Sequence, residues 1–425
     1  MTPQHIGSYY AATAKGLKER PPLTGRIDCD VCVVGGGFTG LSTALHLAER
    51  GFDTVLLEAE RLGWGASGRN GGQLGSGQRK DPEEVAQLTS KEDSRRLWDL
   101  AEEAKALVKD RIARHGIDCD LKPGILSAAY KPAHAGEIQA YAEMLRRDFD
   151  YREIRSVSRE EMAEMLGSAI YHGGCLDSGA GHLHPLNYAL GLATAAEAAG
   201  ARLFEASRVS AVIAGAKPLA RSAGGEVQAR HLVLACNGYL DRLEPRIAGR
   251  IMPINNYVLA TEPLGAARAK ALIRDDVAVS DSKFVIDYYR LSADKRLLFG
   301  GGETYSRRFP EDIKGFVRKY MLRVYPQLAD VGIDYAWGGT LAITLNRMPD
   351  FGRLEGDIYY AQGFSGHGVA LTSLAGKIMA EAIAGTAERF DVFARIPTAT
   401  FPGGTLLRWP GLVAGMLYYS LRDKL

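Results

Sequence analysis

Cysteine is scarce in this chain: five residues in 425, odd in number and scattered. That usage argues against a disulfide framework and suits a reducing, cytoplasmic setting with free thiols. Cys29 and Cys32 form a C-x-x-C, but within the apolar run Asp28–Val34. Residues three apart on a strand point to opposite faces, which argues against a redox pair. No run approaches the roughly 18 uninterrupted apolar residues of a spanning helix. Met1 to Gly25 lacks the apolar core of a secretory signal. Charge of one sign is missing too. The net charge is +2, with no basic block or stripe, which excludes nucleic acid as a partner. There is no internal repeat and no low-complexity tract. The rest is ordinary globular composition, 46% hydrophobic and 24% charged, in a chain long enough for two or three cores.

The first ordered unit reads strand, turn, helix, strand: DCDVCVV, GGGFTG, LSTALHLAER, TVLLE. Leu41, Ala44, Leu45 and Ala48 recur at helical spacing, and Gly51 stands where a glycine ends a helix. Helices are expected over 88–114, 131–147 and 185–199, and β-rich runs over 251–302 predict a large antiparallel sheet. A strand DIYYAQGF, a loop and the helix VALTSLAGKIMAEAIAG return the chain to α/β. The nucleotide domain is therefore expected in three pieces, 28–85, 150–250 and 335–390, with a substrate domain over 86–149 and 251–334. Residues 391–425 form a C-terminal extension whose WPGLVAGMLYYSLRDKL suits an amphipathic helix packed on the body.

Gly35, Gly37 and Gly40 make G-x-G-x-x-G directly after a buried strand. The first permits the tight turn, the second admits a pyrophosphate to the backbone, and the third lets helix and sheet pack closely. The following helix N-terminus offers free N–H groups and partial positive charge to phosphate. Glu58 lies 18 residues beyond Gly40, near the spacing of about 20 at which an acid takes ribose hydroxyls. An acid there disfavours NADP, whose 2′-phosphate would meet a carboxylate. His172, Cys175, His182 and His184 lack a carboxylate at ligand spacing, so no metal is expected. His184-Pro185 instead suits a turn entering a helix. A serine hydrolase is excluded because G-x-S-x-G would need glycine where the chain has His367.

GASGRNGGQL at Gly65–Leu74 and GFSGHGVALTSLAGK at Gly363–Lys377 resemble the D-amino-acid oxidase/glycine oxidase superfamily of flavoproteins. SYYAATA, WGASGRNGGQ, GHLHPLNYALGLA, YYRLSADKRLLFGGG and WGGTLAITLNRMPDFG resemble its gamma-glutamylputrescine oxidoreductase branch, over nearly the whole chain. The resemblance implies an α/β fold with an α+β insert: a Rossmann-type FAD domain and a second, antiparallel-sheet substrate domain, glycine-oxidase-like.

Carried onto this chain, it implies FAD contacts at Gly35, Gly37, Phe38, Thr39, Gly40, Glu58 and Ala59. The first glycine-rich loop adds Ala66, Ser67, Asn70, Gly71, Gly72, Gln73 and Leu74. Val209 would meet the adenine, Cys236, Asn237 and Gly238 would pass the cofactor, and Gly366, His367, Gly368 and Val369 would turn at the pyrimidine edge. The FAD is expected to be non-covalent. No cysteine lies in GFSGHG or its feeding strand, and the first loop has no histidine. The catalytic residues are unassigned, since the flavin carries the chemistry; the candidates are Tyr289, Arg290 and His367. Tyr288, Tyr289 and Arg290 suit a lining of the substrate cavity or packing in the core. Arg290 and Arg347 each suit a bidentate carboxylate contact.

The activity implied is oxidation of an amine C–N bond by hydride transfer to flavin N5. The imine hydrolyses to aldehyde and ammonia, and oxygen, as acceptor, gives hydrogen peroxide. Gamma-glutamylputrescine leads as substrate, which would place the protein in polyamine catabolism. Two other readings stay open: a glycine/sarcosine- or D-amino-acid-type enzyme, and a flavin-binding subunit or sensor without turnover. The acceptor, oxygen or another, stays open as well.

Overall fold

Val31 to Val34 and Thr54 to Leu57 are buried at every position, as parallel strands covered on both faces must be. The computed structural model, which describes residues 3–304 and 308–410, sets them side by side. Gly25–Val34 pairs in parallel with Thr54–Leu57 on one side and Gly225–Leu234 on the other. Arg202–Phe204 and Ile358–Gln362 extend the parallel run, and Asp350–Leu354 closes it as an antiparallel edge. A hairpin, Val209–Ile213 with Leu219–Ser222, hangs from Gly225–Leu234 and brings this sheet to eight strands. The helix Phe38–Ala48 is buried throughout because Pro185–Ala198 and Gly368–Ile383 pack against it. His184 caps Pro185–Ala198, its Nδ1 accepting the Asn187 N–H at 3.1 Å.

Nine strands form the second sheet. Their order is Ile333–Ile343, Met252–Thr261, Leu297–Thr304, Tyr288–Leu291, Ala278–Asp281, Lys122–Ala128, Gly174–His182 and Gln73–Leu74, with Ile154–Val157 also on Gly174–His182. All pairings are antiparallel except Ala278–Asp281 with Lys122–Ala128. One face packs Tyr171, Tyr257, Tyr289, Phe299 and Tyr325 beneath the helix Ile313–Val324.

The chain is shared between the sheets differently from the sequence expectation. Ile154–Val157, Gly174–His182 and Ile333–Ile343, expected mostly with the nucleotide unit, are strands of the second sheet. Conversely, the helix Lys91–Arg114, expected with the substrate unit, buries Leu97, Ala104 and Val108 in the nucleotide-domain core. Such pairings are decided by packing between distant segments, which local periodicity does not report. The helix expected over 88–114 is Lys91–Arg114, which starts where the Ser90 hydroxyl accepts the Asp93 N–H, and a separate short helix, Pro82–Leu88, precedes it. Val392, Phe393 and Ile396 of the expected extension join the same core. Most of the amphipathic helix expected at the C-terminus, residues 411–425, lies outside the described residues. Among the described residues no helix is long and apolar enough to cross a membrane.

Candidate active site

The glycine turn stands at the carboxyl end of the central parallel strand. Gly35 has φ +110°, and a Cβ there would lie 2.7 Å from the Ala235 carbonyl oxygen. At Gly40 a Cβ would lie 1.8 Å from the Gly35 oxygen, so helix and strand meet with no room for a side chain. Gly37 is the N-cap of Phe38–Ala48. The Ser67 hydroxyl accepts the Phe38 N–H at 2.9 Å, which brings the first glycine-rich loop onto this helix N-terminus. Glu58 ends the neighbouring strand with Oε2 accepting from Gly36 N–H at 2.6 Å and Oε1 from Glu60 N–H at 2.9 Å. Burial pushes its carboxyl up, and these main-chain donors act against that shift. Each oxygen keeps a lone pair for a ribose hydroxyl.

Asn70 braces the first loop from within. Its Nδ2 donates to the Ala66 and Ser67 carbonyls at 3.0 and 2.9 Å, and its Oδ1 accepts the Gly72 N–H at 2.7 Å. His367 precedes the helix Gly368–Ile383, and its Nε2 lies 3.0 Å from the Gly77 carbonyl oxygen. A carbonyl only accepts, so this nitrogen carries the proton. Burial, with the Arg79 charge nearby, pushes the imidazole down to about 4, so the ring is neutral. Asn237, at φ +46°, accepts the Gly363 N–H on its Oδ1 at 2.9 Å, linking the end of the strand Gly225–Leu234 to the loop before Gly368.

These elements line one cavity of about 1090 Å³, which runs from the dinucleotide turn onto the second sheet. That is large for a small-molecule site and has room for a dinucleotide together with a substrate. On its wall lie Gly35, Gly37, Phe38, Thr39, Glu58, Ala59, Ala66, Ser67, Asn70, Gly71 and Gln73. Val209, Cys236, Asn237, Gly238, Gly366, His367, Gly368 and Val369 lie on it too. The helix N-terminus at Gly368 therefore faces the cavity and favours negative charge there. The side-chain-free cradle at Gly35 and Gly37, the two open helix N-termini and the carboxylate at the strand end fit an FAD.

A family model described as FAD-dependent oxidoreductase matches residues 30–382. The chain belongs to this family of FAD-dependent oxidoreductases. It is 44% identical over 423 residues to gamma-glutamylputrescine oxidoreductase of Escherichia coli (strain K12), covering 99% of each chain. It is 26% identical to a glycine oxidase of Bacillus licheniformis, covering 84% of this chain and 93% of that one. Among solved structures, glycine oxidase from Geobacillus kaustophilus superposes with a TM-score of 0.70 at 22% identity, over 88% of this chain and 97% of that one. FAD is therefore the cofactor, and the fold is the one the sequence resemblance implied.

Several expected site residues fall elsewhere. Tyr289 points into the core of the second sheet, stacked on Phe299 with ring centroids 5.2 Å apart. Arg290 is 2% exposed and donates to the Gly71, Leu183 and Leu291 carbonyls at 2.8, 2.8 and 3.2 Å. It supports the loop from behind and is not on the cavity wall. Gly40, Gly72 and Leu74 also lie behind the wall, as packing residues. Tyr288, one residue before Tyr289, is on the wall, and its ring covers Gly71. Arg347 is on the wall as well, at φ +63°, with its guanidinium 5.9 Å from the Phe284 ring centroid. Sequence reasoning missed Ser76, Arg79, Tyr141 and Asp177, which come from three segments and carry no local motif. Among the described residues no group of three or more His, Cys, Asp and Glu is placed to hold a metal.

Proposed function

We propose that this FAD-dependent oxidoreductase oxidises the primary amine of gamma-glutamylputrescine, giving an imine that hydrolyses to aldehyde and ammonia. The observation that carries this reading is the 44% identity that spans 99% of both chains to an enzyme named for that substrate. When bound, FAD supplies the two-electron acceptor for the amine's α C–H and passes the electrons to oxygen, giving hydrogen peroxide, or to another acceptor.

The chain's own residues have three tasks. Ser67, the Phe38 helix N-terminus and Glu58 would hold the dinucleotide end. Asn70 and Arg290 keep the Gly65–Leu74 loop in one shape from within and behind, so the ring is held where the amine can meet it. The Gly368–Ile383 helix would stabilise negative charge at its N-terminus. No side chain on the wall is required to take a proton from carbon, because an unprotonated amine gives up its α hydrogen with the electron pair. The neutral His367 ring, tied to Gly77, is a positioning residue in this scheme and not a base.

A small-amino-acid site needs a cationic side chain beside the reacting carbon. Of the two arginines that the sequence offers, Arg290 is committed to main-chain carbonyls. This removes Arg290 as the carboxylate contact of a small-amino-acid site. Ranking gamma-glutamylputrescine against putrescine and small amino acids by kcat/KM tests the reading.

A further inference from the structure

One wall of the cavity belongs to neither glycine loop. It is built from Arg79 and Asp81 ahead of the helix Pro82–Leu88, Tyr141 of the helix Pro132–Asp148, and Asp177 of the strand Gly174–His182. Arg79 is exposed and makes no hydrogen bond or ion pair among the described residues. Asp177 is held by hydrogen bonds and makes no ion pair among the described residues. Its Oδ1 accepts from the Tyr151 hydroxyl at 2.5 Å and the Ala180 N–H at 3.0 Å, and its Oδ2 accepts from the Ser76 hydroxyl at 2.5 Å. The one buried cation nearby, Lys105, pairs with Glu102 at 2.8 Å and donates to Ser76 and Tyr151, not to Asp177. Burial pushes the Tyr141 hydroxyl up, helped by the Asp81 and Asp177 charges.

Among the described residues Arg79 makes no hydrogen bond or ion pair, although its charge reaches the neighbouring Asp81 carboxylate, and Asp177 makes no ion pair; both line the cavity, and together they are complementary to a zwitterion. We propose that this wall binds the amino-acid head group of the substrate, with Arg79 taking the α-carboxylate and Asp177 the α-ammonium. The assignment rests on the gamma-glutamylputrescine reading and deepens it. The head group then lies on Arg79 and Asp177, and the butylamine arm reaches back to the flavin. The lining also offers Arg347, but the carboxylate Asp281 is already 3.0 Å from the Lys283 ammonium. That carboxylate is not an open partner for the α-ammonium.

The test is a cycle between side chains and substrate groups, read as kcat/KM in the holoenzyme. The substrates are gamma-glutamylputrescine, its 4-aminobutanoyl analogue without the α-carboxylate, and its glutaryl analogue without the α-amino group. In the wild type, removing the α-carboxylate should cost at least about tenfold, the scale of one charged hydrogen bond. In Arg79→Ala that cost should vanish, and Arg79→Lys should restore part of it. Asp177→Asn should likewise abolish discrimination against the glutaryl analogue. Arg79 is exposed and without a partner, so its removal leaves the fold intact, and FAD content checks this. A wild type that prefers gamma-glutamylputrescine, with Arg79→Ala penalising both carboxylate-bearing and carboxylate-free substrates equally, would overturn the subsite and leave the function standing. Carboxylate-selective loss in Arg347→Ala instead would do the same. A wild type with no preference for the glutamyl compound would overturn both.

Discussion

The Phe38 N–H donates to the Ser67 hydroxyl across 2.9 Å, and that bond fastens the Gly35–Gly40 turn to the Gly65–Leu74 loop. A Cβ on Gly37 would lie 2.8 Å from the same oxygen. Gly37→Ala should therefore fold, because the Ser67 side chain can turn away, but retain FAD at least about tenfold more weakly. Losing such a capping contact alone costs about 1 kcal/mol. Adding Ser67→Ala to Gly37→Ala should not worsen retention further, since both changes remove the same contact. Gly40→Ala should give little folded protein, because its obstacle is backbone. FAD retained after dialysis distinguishes these outcomes, and additive losses in the double variant would contradict the shared contact.

Arg290 should behave as a structural residue. Arg290→Met removes its bonds to the Gly71 and Leu183 carbonyls, both at 2.8 Å. Two buried acceptors left without donors cost roughly 3 kcal/mol. A lower Tm and looser FAD are expected, with every amine affected alike. A selective rise in KM for carboxylate-bearing amines would place Arg290 in the substrate site.

This residue also shows where the sequence stops being readable. The glycine turn, Glu58 and the two loops are legible because their constraints are local: left-handed backbone at Gly35 and contact distances at Gly40 tolerate glycine only. Tyr288, Tyr289 and Arg290 share one β run whose parity the sequence leaves undetermined. A strand alternates its faces, and one step decides between cavity and core. Tyr288 falls on the cavity, Tyr289 in the core, and Arg290 back on the first face but beneath Gly71. Arg79, Tyr141 and Asp177 are invisible for a different reason. They line one cavity from three separate segments, and Asp177 reaches it because Gly174–His182 joins the second sheet, a pairing that no local pattern announces.

Acid should weaken the fold early. Burial pushes His46, His182 and His184 down to about 3 each, so all three are neutral when folded. The unfolded chain binds protons at these sites below about pH 6.5 while the folded one does not. Their contribution is complete above that pH and is lost as pH falls from 6.5 toward 3. Each such histidine tilts stability by about 1 kcal/mol per pH unit in that window. Tm should drop steadily between pH 7 and about 5, and His46→Asn should make the slope shallower. A flat Tm over that range would contradict the buried neutral state.

FAD should come off without breaking a covalent bond. The cysteines on the cavity wall, Cys175 and Cys236, are both pushed up to about 12 by burial, so neither is a thiolate at neutral pH. The His367 Nε2 is occupied by the Gly77 carbonyl. Acid precipitation should leave the yellow colour in the supernatant, and colour in the pellet would point to His367 as the attachment.

The central claim is the amine substrate with a remote zwitterionic head. Binding energy from that head should orient the reacting amine, so its removal should lower kcat as well as raise KM. The decisive measurement is kcat/KM for gamma-glutamylputrescine, putrescine, sarcosine, glycine and D-alanine, with one enzyme preparation and one electron acceptor. Gamma-glutamylputrescine should exceed putrescine by about tenfold or more, the scale of one charged contact, and exceed the three small amino acids by a wider margin. A small amino acid that proves the best substrate by tenfold would contradict the account.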